Sequence, residues 1–93
     1  MITKNDLIGI WYNENFKLVV ESNKIFLNTN IETEHKPFYT KEIYSDVITW
    51  VEAEKTIEMS NNITLLKSEN ISKVLVISLQ TDRIELIRLT KFN

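Results

Sequence analysis

Along this chain the apolar residues fall in short runs, and polar clusters centred on asparagine separate them. The breaks come at Asn13-Glu14-Asn15, Glu21-Ser22-Asn23, Asn61-Asn62, Ser68-Glu69-Asn70 and Gln80-Thr81-Asp82. Asparagine, aspartate and serine tolerate turn conformations, so they punctuate a chain that has almost no glycine. The runs between them cover residues 7–12, 16–20, 24–29, 38–44, 47–51, 55–59, 63–67, 72–79 and 83–92. That spacing predicts an all-β chain, an antiparallel up-and-down meander of eight or nine short strands. Every link is tight except residues 30–37, a polar stretch long enough to cross an opening or an edge. There is no internal repeat and no linker, so residues 1–93 read as one domain.

Within the runs the alternation varies. Glu52, Glu54 and Glu58 fall on one face, opposite Ala53, Ile57 and Met59, the pattern of a half-buried strand. Val74-Leu75-Val76-Ile77 is apolar on both faces, which predicts a strand covered on both sides or lying in an interface. In the last run Ile84 and Leu86 share one phase and Ile87 and Leu89 the other, which predicts a bulge or a strong bend. Bends of that kind curl a small sheet into a barrel or half-barrel. Two segments have some helical character. Thr3-Lys4-Asn5-Asp6 has the spacing of a shortened capping box and predicts one helical turn before Leu7. Residues 46–59 carry Val47, Trp50, Val51 and Glu54 at helical spacing, but Ile48, Thr49, Thr56 and Ile57 favour strand there.

Residue usage agrees with strands. The chain has thirteen Ile, six Val and nine Thr, but Ala53 is its only alanine, so β-branched residues displace the usual helix fillers. Without cysteine there is no disulfide, thiolate metal site or thiol nucleophile. No apolar run reaches the ~18–20 residues of a membrane-spanning helix, and the first residues turn polar at once. A cytoplasmic protein is the expectation. The net charge of −2 and the acidic neighbours Glu32, Glu34 and Glu42 of Lys36, Phe38, Tyr39 and Lys41 weigh against nucleic acid as a partner.

Catalysis finds little purchase. His35 is the only histidine, flanked by Glu32 and Glu34, and neither a nucleophile elbow nor a second ligand cluster accompanies it. It reads as an exposed loop histidine. Glu52 and Glu54 stand about 7 Å apart on one strand face, a usable separation for paired carboxylates, but alternate glutamates more often make the solvated side of a strand. One glycine cannot build a phosphate-cradling loop. The expectation is a protein that is not an enzyme and carries no metal or cofactor. The acidic row Asp46, Glu52, Glu54 and Glu58, with Trp50 at the same parity, suits a basic protein partner if no turn shifts the registry. The competing reading keeps Trp50 in the core and leaves the glutamates as a soluble surface.

Leu7-Ile8-Gly9-Ile10-Trp11-Tyr12, a short turn followed by Leu-x-Gly-x-Trp, resembles the first strand of lipocalin-like barrels. The resemblance covers six residues. It implies a small up-and-down barrel with Trp11 plugging one end and a cation, Arg88 or Arg83, packed over the ring. The chain departs from that family in being short, free of cysteine and without a C-terminal helix. Three functions follow. The foremost is a cytosolic inhibitor that resembles bacterial toxin immunity proteins, covering the basic active site of a nuclease-type toxin domain with Asp46, Trp50, Glu52, Glu54 and Glu58. The Ile-, Asn- and Lys-rich usage of an AT-rich bacterial gene suits that class. A lipocalin-like binder of a small apolar ligand would line its cavity with Leu18, Val20, Ile25, Leu27, Val74 and Val76. A phage or secretion-system structural module would self-associate through residues 74–77.

Overall fold

A computed structural model describes residues 2–30, 40–68 and 71–92. The chain opens with a single helical turn, α1 (Lys4–Leu7). The Asp6 carboxylate closes the turn by accepting the Thr3 backbone N–H at 2.7 Å and its hydroxyl at 3.1 Å. Among the described residues nine strands follow: β1 (Gly9–Tyr12), β2 (Phe16–Val20), β3 (Lys24–Asn30), β4 (Thr40–Val47), β5 (Val51–Glu52), β6 (Thr56–Glu58), β7 (Ile63–Leu66), β8 (Val74–Gln80) and β9 (Ile84–Lys91). The helical turn and the all-β meander agree with the sequence pattern. The breaks at residues 13–15, 21–23 and 61–62 fall between strands, and at the first of them a side chain makes the turn. Asn13 Oδ1 accepts the backbone N–H groups of Asn15 and Phe16, both at 2.7 Å.

All nine strands belong to one antiparallel sheet in the order β4-β3-β2-β1-β9-β8-β7-β6-β5, curled into a half-barrel. The last strand therefore pairs with the first, at Trp11↔Lys91 and Tyr12↔Thr90. Strand direction alternates along that order, so β4 and β5, at its two ends, run the same way. Three residues separate them. They are two halves of one bent strand, which leaves β3 and continues alongside β6. Ile48 N–H still bonds to Asn23 O on the β3 side at 3.0 Å, while Thr49 N–H already bonds to Met59 O on the β6 side at 3.0 Å. Counted as one strand, β4–β5 makes the total eight, the even number that antiparallel pairing of first and last strands requires.

The concave side holds one core. Trp11, Leu18, Ile25, Leu27, Ile57, Ile63, Leu65, Leu75, Ile77 and Leu89 are fully buried there, with Leu7 from α1 and Met59 from the link after β6. They are the inward members of period-two alternation on seven strands. Val74 and Val76 are half-buried and face outward, since Leu75, Ile77 and Leu79 take the inner positions of β8. The covering on their side is partial, from Leu66, Arg88 and Thr90 on the neighbouring strands.

The predicted bulge in the last strand is absent. β9 pairs with β8 without a break from Ile84 to Thr90, Ile87 and Leu89 point inward, and Ile84 and Leu86 stay 68% and 64% exposed. The irregularity lies between β3 and β4, where the register shifts at Leu27/Asn28. No helix among the described residues is long and apolar enough to cross a membrane.

Candidate functional site

The bent strand carries the residues in question. At Val47 the chain must leave one half of the sheet for the other, and Trp50 absorbs the change with a left-handed backbone, φ 53°. That conformation disfavours any side chain by about 1–2 kcal/mol. The indole offsets it by packing, half-buried, against the core. Trp50 therefore secures the bend and does not stand out as a surface ring. The same bend leaves Val47 and Val51 on the outer face, 57% and 55% exposed.

Asp46 is half-buried just before the bend. Its Oδ1 accepts the Val47 N–H at 2.8 Å and its Oδ2 accepts the Tyr44 hydroxyl at 3.0 Å. The Val47 N–H, and after it the Tyr44 hydroxyl, hold the carboxyl below its usual range. Tyr44 gives its one proton to Asp46, so its oxygen is left to accept from Ser60 Oγ at 2.9 Å and Asn62 N–H at 3.3 Å. Burial is the chief cause that pushes the Tyr44 hydroxyl pKa up. Ser60 is fully buried, and this cluster ties β4 to the link between β6 and β7. Asp46 is thus partly engaged in closing the fold.

The glutamates do not share one face. Glu52 pairs with Ile57 and Val51 pairs with Glu58 across the β5–β6 hairpin. Directly opposed residues point the same way, so Glu52 follows the inward Ile57 to the rim while Glu58 points outward beside Val51. The hairpin turn at residues 53–55 has shifted the parity on which the single acidic row depended. At the rim Glu52 meets Lys67 at 2.6 Å, and the same ammonium donates to Ala53 O at 2.7 Å. Glu54 is exposed in the turn. What the structure places on the outer face is the Val51–Glu58 pair and, before the bend, Val47 opposite Lys24, while Glu54 is exposed in the turn and Asp46, Trp50 and Glu52 lie on the inner side or rim. The exposed valines are the residues that sequence reading passed over.

The expected cation over Trp11 is also reassigned. Lys91, and neither Arg88 nor Arg83, places its Nζ 4.7 Å from the ring centroid. Its ammonium donates to Ile8 O at 2.8 Å, and Trp11 Nε1 donates to Leu7 O at 3.0 Å. Arg88 and Arg83 are exposed. Of the residues expected to line a ligand cavity, Leu18, Val20, Ile25 and Leu27 pack within the core, whereas Val74 and Val76 lie outside it. His35, Glu32, Glu34, Lys36, Phe38 and Tyr39 lie outside the described residues. Among the described residues no group of three or more His, Asp or Glu is placed to hold a metal ion. No protein-family model matches the chain, and comparison with curated proteins and with solved structures finds no match either.

Proposed function

We propose that this protein is a non-enzymatic cytosolic inhibitor of the immunity-protein kind, which covers the basic active site of a nuclease-type toxin domain. The observation that carries the reading is the bent strand, where two valines stand more than half exposed, with Glu58 directly opposite Val51 and Glu54 exposed in the following turn. An exposed aliphatic pair with Glu58 directly opposite Val51 suits a basic cleft. The carboxylates steer encounter and neutralise the partner's lysines and arginines, and the valines supply desolvated contact at the centre. Trp50 acts here as a positioning residue that keeps the valines outward, a different role from the inserted ring anticipated from sequence. The lipocalin-like reading has the Trp11–Lys91 arrangement in its favour. Its ligand cavity has less support, because two of the six residues assigned to line it face outward.

The test is native mass spectrometry of tagged protein captured from lysate of its source organism, with wild type and a Glu54→Lys/Glu58→Lys variant side by side. The reading predicts a stoichiometric basic protein that is shed as salt rises and is lost with the variant. Retention by the variant, or binding indifferent to salt, contradicts the electrostatic mechanism. A bound mass of a few hundred daltons in place of a protein would favour the lipocalin-like alternative.

A further inference from the structure

A second surface lies on the opposite part of the sheet, on the outer face of β1, β2 and the end of β9. Trp11 points inward, so Ile10 and Tyr12 point outward. Phe92 N–H bonds to Ile10 O at 2.8 Å, which continues the β9–β1 ladder and sets Phe92 beside Ile10. The Phe92 and Tyr12 rings meet edge to face, with centroids 5.6 Å apart and planes at 76°. Lys17 is directly opposite Tyr12 on β2. These four residues line a pocket of about 170 Å³.

Among the described residues the lining has one chemical character. Three members are apolar or aromatic, Phe92 is 42% exposed, and the fourth is a half-buried lysine with no ion pair or hydrogen bond to any described residue. Along the same row the next residues from Lys17 are Asn28 and then Glu42, so a neutral side chain separates the lysine from the nearest carboxylate of that row. An apolar cavity of about 150 Å³ accepts a benzene ring, so the volume fits one six-membered ring.

We propose that the pocket of Ile10, Tyr12, Lys17 and Phe92 binds a small aromatic carboxylate, with the ring against Ile10 and the two aromatic side chains and the carboxylate on Lys17 Nζ. The ring gains edge-to-face or offset contact with Phe92 and Tyr12, and the carboxylate accepts a charge-assisted hydrogen bond. Benzyl alcohol fits the same volume without the charge and is the matched neutral probe. This site is separate from the bent strand and stands whatever the fate of the inhibitor reading.

The experiment is a ¹H–¹⁵N NMR titration of the full chain with benzoate and with benzyl alcohol. Benzoate is expected to give saturable shifts confined to β1, the start of β2 and residues 90–92, and to bind about tenfold tighter than the alcohol. Lys17→Gln should erase that tenfold preference while sparing the alcohol, and Phe92→Ala should weaken both. Both side chains are on the surface, and the unchanged remainder of each spectrum checks that the variants fold. Equal affinity for the two probes, a preference that survives Lys17→Gln, or shifts centred elsewhere would overturn the proposal. So would the absence of saturable shifts.

Discussion

At Gly9 the missing side chain is what lets a lysine sit over a buried tryptophan. The backbone there has φ 139°, and a Cβ would lie 2.5 Å from Lys91 Nζ. Gly9→Ala therefore meets two penalties, a backbone region closed to L-residues and the displacement of the ammonium from Ile8 O and the Trp11 face. A loss of about 2–4 kcal/mol in urea unfolding is expected, from strain plus a broken charge-assisted bond. A loss under ~0.5 kcal/mol would show that Lys91 relocates freely. Leu-x-Gly-x-Trp made this spot legible in the sequence. The partner cation was not, because it follows from the β1–β9 register and not from local spacing. Asp6 acts at the same end of the molecule, closing the turn that presents Leu7 O to the indole. The Thr3 N–H, then the Thr3 hydroxyl, lower its pKa. A carboxyl whose pKa falls on folding stabilises above its unfolded value of about 4, and that contribution disappears as pH drops through the folded value. Asp6→Asn should flatten the decline of the urea midpoint below pH 4. An unchanged slope would place the acid sensitivity elsewhere.

At the scale of elements the bent strand sets the shape. Tight asparagine turns told the strands apart correctly, and β2 was legible to the residue, because polar breaks on both sides frame five residues that include Phe16, Leu18 and Val20. The run read as residues 47–51 is different. There one strand ends and another begins in the same direction, so no turn signal exists to be read. The left-handed residue is a tryptophan, the opposite of what such a backbone advertises. Parity counted from residue 46 holds through the bend, with Asp46 and Glu52 both on the inner side and Val47 and Val51 both on the outer. It fails once, at the β5–β6 hairpin, and the expected acidic row dissolves for that reason. The bend makes a specific forecast. Both Trp50→Ala and Trp50→Gly lose the indole's packing, but glycine tolerates φ 53° and alanine does not. The glycine variant should be the more stable by about 1 kcal/mol, the reverse of the ordinary order in a strand. Alanine proving the more stable would mean that the bend is not held in this conformation.

For the whole molecule, fold class was legible and the contact surface only partly so. Alternation, β-branched usage and spaced turns all report on a curled sheet, since each is imposed by burial of one face. A binding surface is under no such rule. Glu54 and Glu58 read as acidic from the sequence and stand exposed as expected, but nothing in the run of residues 47–51 marked Val47 and Val51 as the exposed members. With a net charge of −2 spread over interspersed acids and bases, the surface gives no bulk field strong enough to name a partner. Local arrangement has to do so. The most direct test is amide hydrogen exchange on the captured complex compared with the free chain. The account predicts new protection concentrated at residues 47–58, along the bent strand and its hairpin. Protection confined to β1, β2 and β9, with residues 47–58 unchanged, would contradict it.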